Sequence, residues 1–248
     1  MNLHLNDKVM VISGGASGIG EGIANVLLEE GAIVAIIDFN VSKNNDIYSI
    51  IADLNDPDQC KMAIEKIVLK FGKIDGLVNN AGINDNINLE NGSNDLFVKS
   101  LQKNLIHYYL LAHHALPYLK ESTGSIVNIS SKTAETGQGN TSAYAAANGA
   151  RNALTREWAV ELLKYNIRVN AVIVAECYTP MYEKWIQTQE NPNEKLNAIQ
   201  LNIPLGNRFT TTKEIGQTVC FLLSSNSSHT TGQLIHVDGG YVHLDRAI

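Results

Sequence analysis

Short apolar runs rich in β-branched residues alternate with helical patterns along the whole chain, and that alternation restricts the fold to a parallel sheet with helices on both faces. Strands are predicted over 9–13, 33–38, 48–51, 74–79, 125–130, 168–174 and 234–237, and helices over 18–30, 57–70, 94–121, 142–165 and 212–224. No repeat or low-complexity linker breaks the pattern, so residues 1–248 are expected to form one doubly wound α/β domain on a seven-stranded parallel sheet. Two segments have unusual lengths. Residues 39–47 are too few for a crossover helix and should form a loop or a single turn. Residues 176–204 follow a strand end and are polar and aromatic rather than periodic, which at the carboxyl edge of a parallel sheet reads as a substrate lid.

Composition narrows the function classes. A formal charge of −6 and the lack of any Lys/Arg-rich run argue against nucleic-acid binding. Cys60, Cys177 and Cys220 are distant in sequence and odd in number, which favours structural thiols over a disulfide frame or a zinc site. The N-terminal segment has no apolar signal region and no stretch is long enough for a membrane span, so a cytoplasmic, unprocessed protein is expected.

Ser13-Gly14-Gly15-Ala16-Ser17-Gly18-Ile19-Gly20 directly follows the first strand and opens a helix. Its glycines permit close backbone approach to a pyrophosphate at a helix N-terminus. A glycine-rich turn alone can equally be a structural connection. Asp38, 18 residues past Gly20 at the end of the second strand, shifts the balance, because a carboxylate there can accept both adenosine-ribose hydroxyls and repels a 2′-phosphate. No arginine is placed to bind such a phosphate, so NAD is expected over NADP. A strand-end aspartate capping a turn is the plainer alternative. Asn79-Asn80-Ala81-Gly82 ends the fourth strand with small residues and amides that can border the adenosine.

The interval from Ser131 to Tyr144, followed by Asn148, lays out most of a carbonyl/alcohol redox site. Positions 144 and 148 share one helix face, one turn apart. Free tyrosine has a pKa of about 10, so roughly one molecule in a thousand is ionised at neutral pH, and a nearby ammonium is the usual means of lowering it. Asn148 carries no charge. Individually, Ser131, Tyr144 and Asn104 have ordinary alternatives: a strand-end cap, a helix-surface aromatic and a helix-interior amide.

Together and in order, the glycine turn, Asn79-Asn80-Ala81-Gly82, Asn104, Ser131 and Tyr144 resemble the short-chain dehydrogenase/reductase family over essentially the whole chain. The resemblance implies a Rossmann-type fold in which Ser131 holds the substrate oxygen, Tyr144 moves its proton and Asn104 supports a water relay. A lysine is expected at position 148, lowering the tyrosine pKa and binding the nicotinamide ribose. Asn148 breaks that pattern, and three readings follow from it: a substitution in an active scaffold, a natural enzyme with a modified relay, or a binding protein that has lost catalysis. The first implies that Asn148→Lys should raise activity about 10²–10⁴-fold. Carried onto this chain, the expected cofactor contacts are Ser13, Gly14, Ser17, Gly18, Ile19, Gly20, Asp38, Asp53, Leu54, Asn80, Ala81, Gly82, Tyr144, Asn148, Val174 and Thr179.

Further stretches, among them 104–109, 131–140, 154–160, 204–211 and the tail 238–247, resemble the bacterial L-fucose dehydrogenases of this family. That likeness implies oxidation of an aldose at C1 to its lactone. Lys132, Gln138, Asn140 and Glu176 frame Ser131 and Tyr144 as candidate sugar-hydroxyl partners, and Trp185 has two even readings, a stacking surface for the sugar or an aromatic that packs the lid down. His107, His113 and His114 lie on the long helix without a carboxylate or cysteine at ligand spacing, so no metal is expected. Helices 94–121 and 142–165 match the pair that forms the family's main dimer interface, and since members of the family are commonly tetramers the resemblance implies a homotetramer.

Overall fold

The computed structural model describes residues 2–244. Seven parallel strands, β1 (Val9–Ser13), β2 (Ile33–Asp38), β3 (Tyr48–Ile51), β4 (Gly76–Asn79), β5 (Ser125–Ser131), β6 (Arg168–Val174) and β7 (Leu234–Val237), form one sheet in the order β3-β2-β1-β4-β5-β6-β7. Alternation along each strand divides the core between the two faces. Val9 and Val11 pack with Ile64, Leu111 and Trp158 on one side, while Met10 and Ile12 pack with Ile23, Leu27, Ile215 and Val219 on the other. Both faces are covered, so the central strands read as unbroken apolar runs.

The helices are α1 (Gly18–Glu29), α2 (Pro57–Phe71), α3 (Asn94–Leu101), α4 (His107–Ser122), α5 (Ser142–Glu161), α6 (Pro180–Ile186), α7 (Pro192–Leu201) and α8 (Thr212–Leu223). Their ends carry clear signals: Asp56 accepts from the backbone of Asp58 and Gln59 ahead of Pro57 in α2, and Thr211 with Glu214 forms a capping box on α8.

Three regions differ from the sequence expectation. The span 94–121 is not one regular helix, because a π turn at Gln102–Ile106 joins α3 to α4. Helix α5 stops at Glu161, and a 3₁₀ turn at Leu163–Tyr165 completes the span to 165. Within the lid, α6 and α7 replace an irregular chain. Each begins at a proline, and both are too short and too exposed for apolar periodicity to reveal. Residues 39–47 form turns without a helix, as their length requires. Among the described residues no helix is long and apolar enough to cross a membrane. The three cysteines are free and buried, and burial pushes the Cys60 thiol up to about 11. The end of the tail, 245–247, lies outside the described residues.

Candidate active site

Strand order reverses between β1 and β4, and the resulting crevice at the strands' carboxyl ends opens into a cleft of about 560 Å³. Its first wall is the turn from β1 to α1. Gly14 and Gly18 have φ of +68° and +59°, a region that side chains with a Cβ seldom occupy. At Gly20 a Cβ would lie 2.1 Å from the Gly14 carbonyl oxygen, so only glycine lets the helix start this close to the strand. The Asn80 Nδ2 donates to the carbonyls of Ser13 (3.0 Å) and Gly14 (2.9 Å), and the Ser13 Oγ accepts from Asn80 N (2.9 Å) and Ala81 N (3.2 Å). These bonds fasten the glycine turn to the end of β4. Ser13 therefore stands behind the cleft wall, while Gly14, Ser17, Gly18, Ile19, Asn80, Ala81 and Gly82 line it.

Asp38 also lines the cleft. Its Oδ2 accepts from Ala16 N at 3.0 Å and its Oδ1 from Asn40 N at 3.0 Å, which fixes the carboxylate beside the glycine turn. Leu54 lines the cleft but Asp53 is not among its lining residues: the Asp53 carboxylate accepts from the backbone and side chain of Asn55, which takes the lining position instead. A helix N-terminus, a close-packed glycine turn and a ribose-height carboxylate on one cleft fit a dinucleotide.

At the other end, Ser131 closes β5 and Tyr144 lies in the first turn of α5, and both face the cleft. Val174 and Thr179 join them there. Asn104 sits in the π turn, fully buried. Its Oδ1 accepts from Ile83 N (2.7 Å) and its Nδ2 donates to Ser100 O (3.0 Å), so its side chain anchors the chain that leaves β4. The π register also leaves the Asn104 main-chain carbonyl for a partner outside the helix.

That partner is Arg151, which sequence reasoning missed. Its Nε donates to Asn104 O at 2.7 Å and its Nη2 donates to the same oxygen; Nη1 donates to Ile129 O (3.2 Å) and to Asn148 Oδ1 (3.0 Å). The guanidinium also lies 4.2 Å from the centre of the Tyr108 ring. The available signal was spacing alone, since Arg151 is seven residues past Tyr144 and three past Asn148 on one helix face. Asn148 itself is fully buried and is not among the cleft's lining residues; its Nδ2 donates to Tyr144 O at 2.9 Å. The side chain expected at a nucleotide ribose instead bridges the backbone of α5 to Arg151. Next to this centre, burial and then the Arg151 charge hold His107 down to about 4, so it is neutral, and its Nε2 lies 2.9 Å from Lys103 O as donor.

The expected sugar partners divide. Lys132 and Glu176 are both buried and form an ion pair with each other, with the Lys132 ammonium 4.2 Å from the centre of the Tyr241 ring. Neither is among the lining residues of the cleft, nor are Gln138, Asn140 and Trp185. Gln138 and Asn140 are exposed on the turn before α5. Trp185 packs edge-on against Tyr182 (5.2 Å between ring centres), which in turn packs on Phe209 (5.4 Å), so these rings form one cluster within the lid. Burial, followed by the Glu176 carboxylate, pushes the Tyr182 hydroxyl well above the usual range.

One group of metal-ligating side chains, Glu135, His236 and His243, has its donor atoms within 4.8 Å of one another. It lies apart from this cleft, and His236 Nε2 already contacts Glu135 Oε2 at 2.9 Å.

The family model described as enoyl-(acyl carrier protein) reductase matches residues 14–242. The 3-oxoacyl-[acyl-carrier-protein] reductase FabG of Thermotoga maritima is 36% identical, covering 97% of this chain and 100% of that protein. The L-fucose dehydrogenase of Bos taurus is 30% identical, covering 97% and 91%. Among solved structures, Cj0485 dehydrogenase superposes with a TM-score of 0.96 at 47% identity, covering 100% and 99%. The aldohexose dehydrogenase of Thermoplasma acidophilum superposes with a TM-score of 0.94 at 31% identity, also covering 100% and 99%.

Proposed function

The chain belongs to the short-chain dehydrogenase/reductase family, and on that premise we propose that it is an NAD-dependent dehydrogenase that oxidises an aldose at C1 to its lactone, with L-fucose or another sugar of L-galacto configuration as substrate. The observation that carries the reading is the meeting of Ser131 and Tyr144 at one end of a cleft whose other end holds Asp38 and the glycine turn.

Ser131 donates a hydrogen bond to the C1 oxygen and so orients the substrate toward Tyr144. Tyr144 takes the C1 hydroxyl proton as the carbonyl forms. When bound, the nicotinamide supplies the acceptor for the C1 hydrogen and its electron pair. Asp38 selects NAD over NADP by accepting the adenosine-ribose hydroxyls and repelling a 2′-phosphate.

The lid, in which Tyr178 and Tyr182 pack with ring centres 5.9 Å apart, offers aromatic faces and hydroxyls rather than continuous aliphatic surface, which favours a polyhydroxylated substrate over an aliphatic one. Similarity to an L-fucose dehydrogenase and an aldohexose dehydrogenase supports the same choice. Similarity to a 3-oxoacyl-[acyl-carrier-protein] reductase makes acyl thioester reduction the competing outcome.

Exposed Ile106 and Tyr109 in and after the π turn, with Val160 at the end of α5 and Leu163 in the 3₁₀ turn that follows it, leave apolar surface that a helix-to-helix dimer would cover. A cytoplasmic homotetramer completes the reading. The test is NADH production with a panel of aldoses, alongside a 3-oxoacyl thioester assayed with NADH and NADPH. Turnover of the thioester with no aldose oxidised would replace the sugar assignment.

A further inference from the structure

We propose that Arg151 supplies the fixed positive charge that supports proton transfer at Tyr144, in place of the lysine the family carries at position 148. The inference rests on the dehydrogenase reading above and concerns how its acid–base centre works.

Arg151 is 2% exposed, yet among the described residues it enters no ion pair. Its partners are the carbonyls of Asn104, Ile129 and Ala81, the Asn148 amide oxygen and the Tyr108 ring, all without charge. A buried cation without a counter-anion is costly, and carbonyl dipoles offset only part of that cost. Tyr144, on the same face of α5 and on the same cleft, is the group that acquires negative charge when it gives up its proton. The other ionisable groups next to Arg151 are Tyr108, fully buried with its hydroxyl donating to Ile129 O at 2.9 Å, and His107, which is neutral. The same cleft is lined by Lys103, an exposed cation that solvent screens, and by Asp38, whose carboxylate is held beside the glycine turn by Ala16 N and Asn40 N. None of the groups next to Arg151 offers a competing anion.

Several features keep this cation in place. The π turn presents the Asn104 carbonyl to it. At Gly82 a Cβ would lie 2.8 Å from Arg151 Nη2 and 2.9 Å from Asn104 Oδ1, so a larger residue there would push on the guanidinium and its neighbour. Asn148 fills the position of the family lysine with a neutral amide that accepts from Arg151, whereas an ammonium there would repel it. The asparagine and the arginine thus form one arrangement, with the charge moved one helical turn along α5. Because a guanidinium does not deprotonate in proteins, Arg151 holds charge but relays no proton.

The test measures pH–rate profiles for L-fucose oxidation at saturating NAD in the parent, Arg151→Gln, and the double variant Asn148→Lys with Arg151→Gln. Arg151→Gln should lower kcat by about 10²–10⁴-fold and move the rise of the profile to higher pH. The double variant should recover most of both, because it returns a cation to the same face. A purely structural arginine would lower kcat without moving the profile, and Asn148→Lys would restore nothing; that result, or a parent-like profile in Arg151→Gln, overturns the proposal.

If Arg151→Gln does not fold, Asn148→Asp pairs the guanidinium instead of deleting it, and an unmoved profile in that variant overturns the proposal equally. Near-ultraviolet difference titration needs no substrate. The ionisation step abolished by Tyr144→Phe should occur at higher pH in Arg151→Gln than in the parent, so a wrong sugar assignment leaves this test intact.

Discussion

Arg151 Nη1 donates to Asn148 Oδ1 across 3.0 Å, one turn apart on α5 and out of contact with solvent. The expectation that Asn148→Lys alone would raise activity assumed a face without charge, and this contact reverses it. A lysine at 148 would face a guanidinium in a buried site with no anion to separate them. In the parent background Asn148→Lys should destabilise the protein by about 3 kcal/mol, the order of an uncompensated buried charge, and should give no gain in kcat. Thermal unfolding and initial rates check both, and a kcat gain of a hundredfold would show that the two cations coexist.

On the proposed reading cofactor choice rests on Asp38, whose carboxylate is held beside the glycine turn by Ala16 N and Asn40 N. Calorimetry should find NAD bound more tightly than NADP, with Asp38→Ala weakening NAD by about 1–3 kcal/mol and narrowing the gap. Equal or tighter binding of NADP by the parent would contradict this.

The strand order and the cleft follow from features that sequence displays: apolar runs of strand length, a glycine turn between strand and helix, and an acidic strand end. All seven strands lie where alternation places them, because strands buried on both faces have little freedom of composition. What stayed hidden depends on tertiary partners. Arg151 drew no attention in the sequence, because nothing local shows that the π turn brings the Asn104 carbonyl to it. Lys132 and Glu176, distant in sequence, read as two separate polar groups because nothing local announces that they neutralise each other. Helices α6 and α7 lacked a periodic apolar stripe because short exposed helices do not need one.

His107 should make the stability of the protein sensitive to acid. Its folded value is held at about 4, below the ordinary 6.5, chiefly by burial. Between these values the unfolded chain binds a proton that the folded chain does not, so stability falls as pH drops from about 6.5 towards 4 and this loss levels off below that. The full window is worth about 3 kcal/mol. His107→Gln keeps an amide donor for the Lys103 carbonyl and removes the titration. Urea unfolding at several pH values should show a shallower fall for the variant between pH 6.5 and 4, and identical slopes would assign the acid sensitivity to other groups.

The Lys132–Glu176 pair should behave as a coupled unit under the lid. Removing either partner leaves the other as a buried, unpaired charge, so Glu176→Gln and Lys132→Met should each destabilise by about 3–5 kcal/mol. Removing both leaves no stranded charge, and the double variant should be more stable than the sum of the single changes by more than about 1 kcal/mol. A double-mutant cycle in denaturant measures this coupling. The same variants separate two roles for Glu176. If it serves only to neutralise Lys132, the double variant should recover the parent KM for the sugar along with its stability. If Glu176 also accepts a hydrogen bond from a sugar hydroxyl, stability should recover while KM stays raised. Strict additivity of the two single changes would show that the charges do not depend on each other.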